Sequence, residues 1–431
     1  IIMSIKIVPI DKTNIQEWRT SVRRVFGDIP SESDVKRLVN DRLMIPYEDW
    51  SKGSEKVDHN RLIGAYDEET KSIVGTGGAD KFDITVPGGN SLSMAGIAYM
   101  GTAPTHKRKG IFRLMMNNLH SQAKDRGDSL AGLWASQSLL YSRFGYGLAT
   151  LREDWMINAK STQLNKSSDS KIKIRFINKK LALKEIPEIY NSVWKKQNGF
   201  TDRSQGYWDY LLYENDNTIY NKSGMSGLFF VISYVDNKPT GYVFYNINKE
   251  SGIAHEDDKG ELIIQELVSQ DSDSNIALWN FIFGIELVEK IIINRRGSSD
   301  PLYFLLENPR MLSRNIIDGL WVRIINPIKM LESRSYNSTG KLILEIKGQN
   351  QDDIEGIYSL ETDGVNSEVK KVKSKPDISM RPSDMSSCFF GGITPYELYK
   401  SNNIRCSDSK KLELFSNMFS VFQTPWCNTD F

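Results

Sequence analysis

From Ser93 to Gly147 the sequence sets a strand, a basic cluster ending in glycine, an amphipathic helix and a second strand in direct succession. Met94 to Ala103 (MAGIAYMGTA) is rich in small residues and reads as a strand that Pro104-Thr105 breaks. His106-Lys107-Arg108-Lys109-Gly110 follows at once. Phe112, Met115, Leu119 and Ala123 then recur at helical spacing on one apolar face, and Gly127 closes the helix. A fixed cation at the positive end of a helix dipole costs roughly 0.3–1 kcal/mol where exposed. Three of them crowd this end, which makes sense if an anion sits there. Backbone N–H groups from about Arg108 to Arg113 could cradle a pyrophosphate, with Gly110 allowing close approach. Alone, such a run is more often a solvated turn. Here a strand, Ser129 to Ala135, follows the helix and leads into Ser136-Gln137-Ser138-Leu139-Leu140-Tyr141 and then Phe144-Gly145-Tyr146-Gly147.

The rest of the chain limits what this segment can belong to. Its 431 residues suggest roughly two to four domains. Fifty-five basic against 54 acidic residues argue against a general nucleic-acid binder. Cys388, Cys406 and Cys427 lack paired spacing and read as reduced thiols of a cytoplasmic protein. The most apolar stretch, Ile276 to Val288, is too short to span a membrane and reads as a buried helix. The start, through Val8-Pro9, reads as a first strand rather than a signal peptide. Lys160 to Lys173 reads as a linker.

Beyond it a strand (172–176), a helix near 188–196 and a hairpin pair (228–235 and 241–247) lead to a strand at 261–267 and a helix over about 274–290. Both sections thus share an order of strands, a central strand and a long helix. The last section contains strands at 321–325, 341–347, 357–360 and 369–373, with helices near 394–401 and 409–420. These patterns predict a mixed α/β (α+β) chain of three domains: 1–158, 170–308 and 309–431.

The strand, basic glycine loop, helix and strand, with a tyrosine after a second short helix, resemble the GNAT (GCN5-related) N-acetyltransferases. Lys107 to Phe112 stands where that family has Q/R-x-x-G-x-G/A and departs at the first and last positions. The runs APTHKRKGIFRLMMNNLH, WASQSLLYSRFGYG and DGLWVRIINPIKMLESRSY, with an aromatic last residue, resemble more closely the Eis (enhanced intracellular survival) family. That resemblance covers essentially the whole chain. It implies two tandem GNAT-like domains followed by a domain like sterol carrier protein 2 (SCP2). It also implies acetyl transfer from acetyl-CoA to a primary amine, such as an aminoglycoside, a polyamine or a peptide amine, in a homo-hexamer.

Carried onto these residues, the resemblance makes Met100, Gly101 and Thr102 the strand whose backbone pairs with the pantetheine arm. Arg108, Lys109, Gly110, Ile111, Phe112 and Arg113 become the pyrophosphate loop. Ser136 and Gln137 become further cofactor contacts, the glutamine standing where glutamate is common. Tyr141 becomes the general acid for the departing thiolate, and the carboxylate of Phe431 the general base. Asp28, at the exit of the first helix, and Asp430 become the acids that attract the amine. The chemistry is consistent: the amine must lose a proton to attack, and the thiolate leaves better when protonated. A free α-carboxylate, of pKa about 3.5, is a weak base unless desolvated or linked through a water. The run Met418 to Trp426 is too apolar for a loose end, so the tail is expected to dock.

A second cofactor loop is not expected, because Ser269 to Ser274 carries acids where cations are needed. His59, His106, His120 and His255 show no metal-ligand spacing, so no metal is expected; His106 remains a possible phosphate contact. No nucleic-acid or membrane partner is expected. Two alternatives stay open: a tandem-GNAT acyltransferase taking a longer acyl-CoA, and a non-catalytic protein binding lipid in its C-terminal domain.

Overall fold

The computed structural model describes residues 4–11, 13–28, 61–159, 162–214, 224–249, 260–286, 288–348, 354–406 and 408–431. The first unit contains β1 (Ile5–Pro9), α1 (Ile15–Val25), β2 (Leu62–Asp67), β3 (Ser72–Thr85), β4 (Ser91–Thr102), α2 (Ile111–Asp125), β5 (Leu130–Trp134), α3 (Ser138–Tyr141) and β6 (Gly147–Leu148). β7 (Leu151–Asn158) leads across the linker to β8 (Lys173–Ile177), α4 (Lys179–Val193), α5 (Gln205–Glu214), β9 (Phe229–Val235), β10 (Lys238–Asn248), β11 (Gly260–Ser269), α6 (Ser272–Phe283), β12 (Val288–Arg296) and α7 (Leu302–Leu305). Two strands, β13 (Leu312–Asp318) and β14 (Leu320–Ile324), precede the C-terminal unit. That unit consists of α8 (Pro327–Ser333), β15 (Gly340–Ile346), β16 (Gly356–Thr362), β17 (Ser367–Lys371), β18 (Ile378–Met380), α9 (Pro382–Phe389), α10 (Pro395–Lys400), β19 (Ile404–Cys406) and α11 (Ser409–Phe419).

Three sheets result, in the orders β1-β2-β3-β4-β5-β14-β6, β13-β7-β12-β11-β10-β9-β8 and β17-β16-β15-β18-β19. The expected boundaries do not coincide with them. β7 precedes the linker yet lies between β12 and β13 in the second sheet. β13 and β14 fall in the stretch expected to open the third domain, but β13 completes the second sheet and β14 the first, beside β5. The first two units therefore exchange strands, and the third sheet begins only after Asn326 caps α8. Composition marks linkers, whereas strand exchange leaves no compositional trace.

Local chemistry explains much of the rest. The β9–β10 turn has positive φ at Asp236 and Asn237 (48° and 60°), the left-handed pair that suits the twist of a tight hairpin. The helix expected over 274–290 stops at Phe283, and the apolar residues from Val288 onward form β12 instead. The helix expected near 188–196 starts earlier, at Lys179, where Asn178 caps it by accepting from the Leu181 N–H. Two cores sandwich the first sheet. Val74, Ala79, Ala95, Ile97, Met115, Leu119 and Tyr141 pack on the α2 side. Phe82, Met94, Leu320 and Val322 pack on the other side against Met385, Phe389 and Phe415 of the C-terminal unit.

Candidate active site

The site begins as a flaw in the first sheet. β4 and β5 run parallel, but only Met94, Ala95 and Gly96 pair with Leu130, Ala131 and Gly132. Beyond Gly96, β4 continues to Thr102 with β3 as its neighbour, while β5 continues to Trp134 beside β14. The strands diverge, and among the described residues no strand pairs with the β5-facing edge of β4 from Ile97 to Thr102. A β-bulge drives the divergence. Thr76 pairs with Gly101 and Gly78 with Ala98, so Tyr99 and Met100 together oppose Gly77, and Tyr99 sits at φ 59°. Gly77 and Gly78 make the bulge possible, because a Cβ there would meet Met100 Sδ and a Leu62 methyl, both at 2.6 Å.

The basic loop lies at the open end of this gap. Arg108 (φ 63°) and Gly110 (φ 81°) are both left-handed, which turns the backbone into the start of α2. Gly110 is the N-cap, no side chain caps the helix, and its first turn contains no acid. The first amides of α2 therefore lack intrahelical acceptors, with Lys107, Arg108, Lys109 and Arg113 exposed around them. The side chain of Phe112 packs on Tyr141 (ring centroids 6.0 Å apart) and Phe144 (5.9 Å). Thr102 Oγ1, at the far end of β4, is buried without a hydrogen-bond partner among the described residues. A free strand edge, an orphaned hydroxyl and an uncapped cationic helix start suit a ligand with an amide-rich arm and a phosphate end. Met100 points into the α2 core, so only its backbone faces the gap. Gly101 has a further use: Val25 of α1 lies where its Cβ would be, 1.9 Å away.

Tyr141 and Phe431 approach the gap from opposite faces of the sheet. Tyr141 is 4% exposed in the α2-side core and stacks edge-on against Tyr146 at 6.1 Å. Burial raises the pKa of its phenol above the ordinary value, with a Ser136 hydrogen bond acting the other way. Ser136 and Gln137 themselves lie exposed in the loop after β5. On the other face the Phe431 ring lies 4.8 Å from that of Phe82 and covers Gly96, whose Cβ would meet Phe431 Cδ2 at 3.0 Å. Gly96 is the last β4 residue paired with β5, so Phe431 stands at the apex of the gap.

The expected docking of the tail is realised at Phe419, Trp426 and Phe431, while Phe422 stays in solvent. The two proposed amine-attracting acids already have cationic neighbours. Asp28 is exposed just after Gly27, with Arg23 Nη1 at 3.4 Å, and Asp430 Oδ2 lies 3.0 Å from Arg295 Nη2. His106 is not in the phosphate loop's reach. Its ring turns inward, Nε2 3.2 Å from Asp67 Oδ2 and Nδ1 2.8 Å from Thr105 Oγ1. His120 meets the Tyr146 hydroxyl at 3.0 Å, and burial pushes its pKa well below the usual value. His59 and His255 lie outside the described residues. Trp134 escaped sequence reasoning: its indole N–H donates to Thr429 O at 3.0 Å, and no local motif announces a partner 295 residues away.

The second sheet repeats the parallel pair in β11 and β12 but not the site. Asp271 caps α6 by accepting from the Ser274 N–H at 2.8 Å, so a carboxylate occupies the anion position.

Comparison with known proteins agrees with this geometry. Residues 6–149 and 199–324 each match an acetyltransferase (GNAT) domain family, and residues 328–428 match a sterol carrier protein domain. The N-acetyltransferase Eis of Mycobacterium tuberculosis is 28% identical over 346 residues, covering 78% of this chain and 80% of that protein. This chain is an Eis-like GNAT N-acetyltransferase. A protein named as an uncharacterized N-acetyltransferase of Streptomyces avermitilis is 26% identical to it over 413 residues, 95% of each chain. Eis1 from Mycobacterium abscessus has the same fold, with TM-score 0.82 and 20% identity over 99% of this chain and 100% of that one. Among the described residues of this enzyme, no cluster of three or more His, Cys, Asp or Glu could hold a metal ion. No helix there is long and apolar enough to cross a membrane.

Proposed function

We propose that this N-acetyltransferase moves an acetyl group from acetyl-CoA to a primary amine of an aminoglycoside, polyamine or peptide, at one site per chain. The observation that carries the reading is the convergence of three features on one gap: the uncapped cationic start of α2, the free edge of β4, and the Phe431 ring at the apex. The pyrophosphate would rest on the amides from Arg108 to Arg113, and the pantetheine arm on the backbone of Met100, Gly101 and Thr102. Ser136 and Gln137 would complete the mouth.

The amine nitrogen attacks the thioester carbonyl carbon, a C–N bond forms, and the C–S bond breaks. Backbone N–H groups of β4 beyond Gly96, where its pairing with β5 ends, are candidate donors to the oxyanion. Tyr141 gives its proton to the departing thiolate; its raised pKa keeps that proton in place across the neutral range. The proton lost by the amine goes to the Phe431 carboxylate, directly or through a water. Asp28 and Asp430 add negative potential that draws a cationic acceptor despite their arginine neighbours. The three unpaired cysteines fit a reducing cytoplasm, and a homo-hexamer is the proposed assembly.

The test is acetyl-CoA turnover over polyamines, aminoglycosides and peptide amines, with wild type beside a variant extended by one glycine after Phe431. Turnover is expected with at least one class and is expected to be lost on extension, with acetyl-CoA binding retained. No turnover with any of the three would overturn it, and an extended chain as active as wild type would remove the terminal carboxylate from the mechanism.

A further inference from the structure

The divergence between β11 and β12 is filled by the chain itself. Arg296 reaches across to donate to Leu267 O at 2.8 Å. Its guanidinium lies 4.8 Å from the ring of Trp426, whose indole N–H donates to Arg295 O at 2.6 Å. From Trp426 the tail runs over a buried ion pair. Arg203 grips Glu266 with two bonds of 2.9 and 2.8 Å, and its guanidinium lies 4.1 Å from Tyr190 and 4.7 Å from Trp208. Two further donors go to the tail: Nε to Thr429 Oγ1 (3.1 Å) and Nη2 to Asn428 O (3.0 Å). Glu266 accepts from Asn428 Nδ2 at 2.9 Å and from the Tyr242 hydroxyl at 2.6 Å. The Tyr207 hydroxyl donates to Asp430 O at 2.9 Å, one residue before Phe431.

We propose that the second GNAT-like unit is a receptor for the tail, in which Arg203 and Glu266 are positioning residues that set Phe431 at the apex of the first unit's gap. Buried ion pairs seldom stabilise a fold more than apolar residues of the same size; their attested use is to fix geometry. Here the pair's bonds beyond itself and Tyr242, from Arg203 Nε and Nη2 and to Glu266 Oε1, all go to Asn428 or Thr429. A one-residue slip of the tail would strand all of them. The inference rests on the acetyl-transfer reading above and deepens it.

Full-length Asn428→Asp places a carboxylate against Glu266, and the double variant Asn428→Asp/Glu266→Gln returns one negative charge to Arg203. Three quantities are read: acetyl-CoA affinity by calorimetry, kcat, and release of Phe431 by carboxypeptidase A followed by intact mass. The expected result is acetyl-CoA affinity within 3-fold of wild type in both variants. In Asn428→Asp, kcat falls by about 10–100-fold and Phe431 is released faster, and both recover in the double variant. If Asn428→Asp does not fold, as absent acetyl-CoA binding would reveal, Thr429→Val is read the same way. A folded variant with unchanged kcat, or with lost kcat while Phe431 stays protected, overturns the inference. If the glycine-extended enzyme is inactive while these variants keep full rate, the terminal-carboxylate reading stands and the positioning role alone fails.

Discussion

Tyr141 can serve as a proton donor only while it holds its proton, and burial extends that range upward. Tyr141→Phe is expected to lower kcat by about 10²–10⁴-fold with little change in KM for acetyl-CoA. In wild type, the part of the pH–rate profile that reports this donor should fall only above pH about 10. A second residue reports burial rather than catalysis. Asp80, on β3 opposite Gly96, has its pKa raised to about 7 by burial, with Arg19 pulling the other way. Below pH 4 it is neutral in folded and unfolded chains alike. As pH climbs from about 4 to 7 the unfolded chain alone gains from ionising, so the folded state loses stability, by up to about 4 kcal/mol. Asp80→Asn should therefore raise Tm at pH 8 and leave it nearly unchanged at pH 4, as thermal melts at the two values would reveal. Tyr141 could be singled out as a candidate because a motif surrounds it. Nothing near Asp80 in the sequence signals a buried acid, since its enclosure depends on packing between distant elements.

At the scale of elements, the basic loop and α2 act together. In the proposed site, helix amides would supply direction and the four exposed cations, Lys107, Arg108, Lys109 and Arg113, would supply charge, so the charged part of the affinity should be screened by salt. Arg108→Ala/Lys109→Ala is expected to weaken acetyl-CoA binding by about 10-fold or more at low ionic strength and to flatten its salt dependence, measured by calorimetry at two salt concentrations. The strand, loop and helix were readable because their signals are local: Pro104, Gly110 and the spacing of Met115, Leu119 and Ala123. The splay was not. It depends on a bulge at Tyr99 and on Gly77 and Gly78 across from it, a pairing that single-strand patterns do not contain. The apolar run after Phe283 misled for a related reason: short apolar stretches suit a buried helix and a buried strand equally, and pairing of β12 with β7 and β11 decides it.

Across the whole molecule, two sheets that exchange β7 and β14 hold the units in fixed register, and the tail threads from the C-terminal unit past the second to the first. Three units were visible from the alternation of patterns and the polar linker. The exchange and the route of the tail were not, because contacts such as Trp134–Thr429 and Arg203–Asn428 join residues more than 200 positions apart. Among the described residues this architecture gives two similar parallel strand pairs that differ at the helix start and in the gap between the strands. In the first, the helix start is open and cationic. In the second, Asp271 caps the helix and Arg296 with Trp426 fills the divergence. The most direct test is a crystal structure of the enzyme with coenzyme A. One molecule per chain is expected, its diphosphate on the amides from Arg108 to Arg113 and its thiol between β4 and β5, close to Tyr141 and Phe431. A coenzyme A bound between β11 and β12, or one whose thiol lies away from both residues, would contradict it.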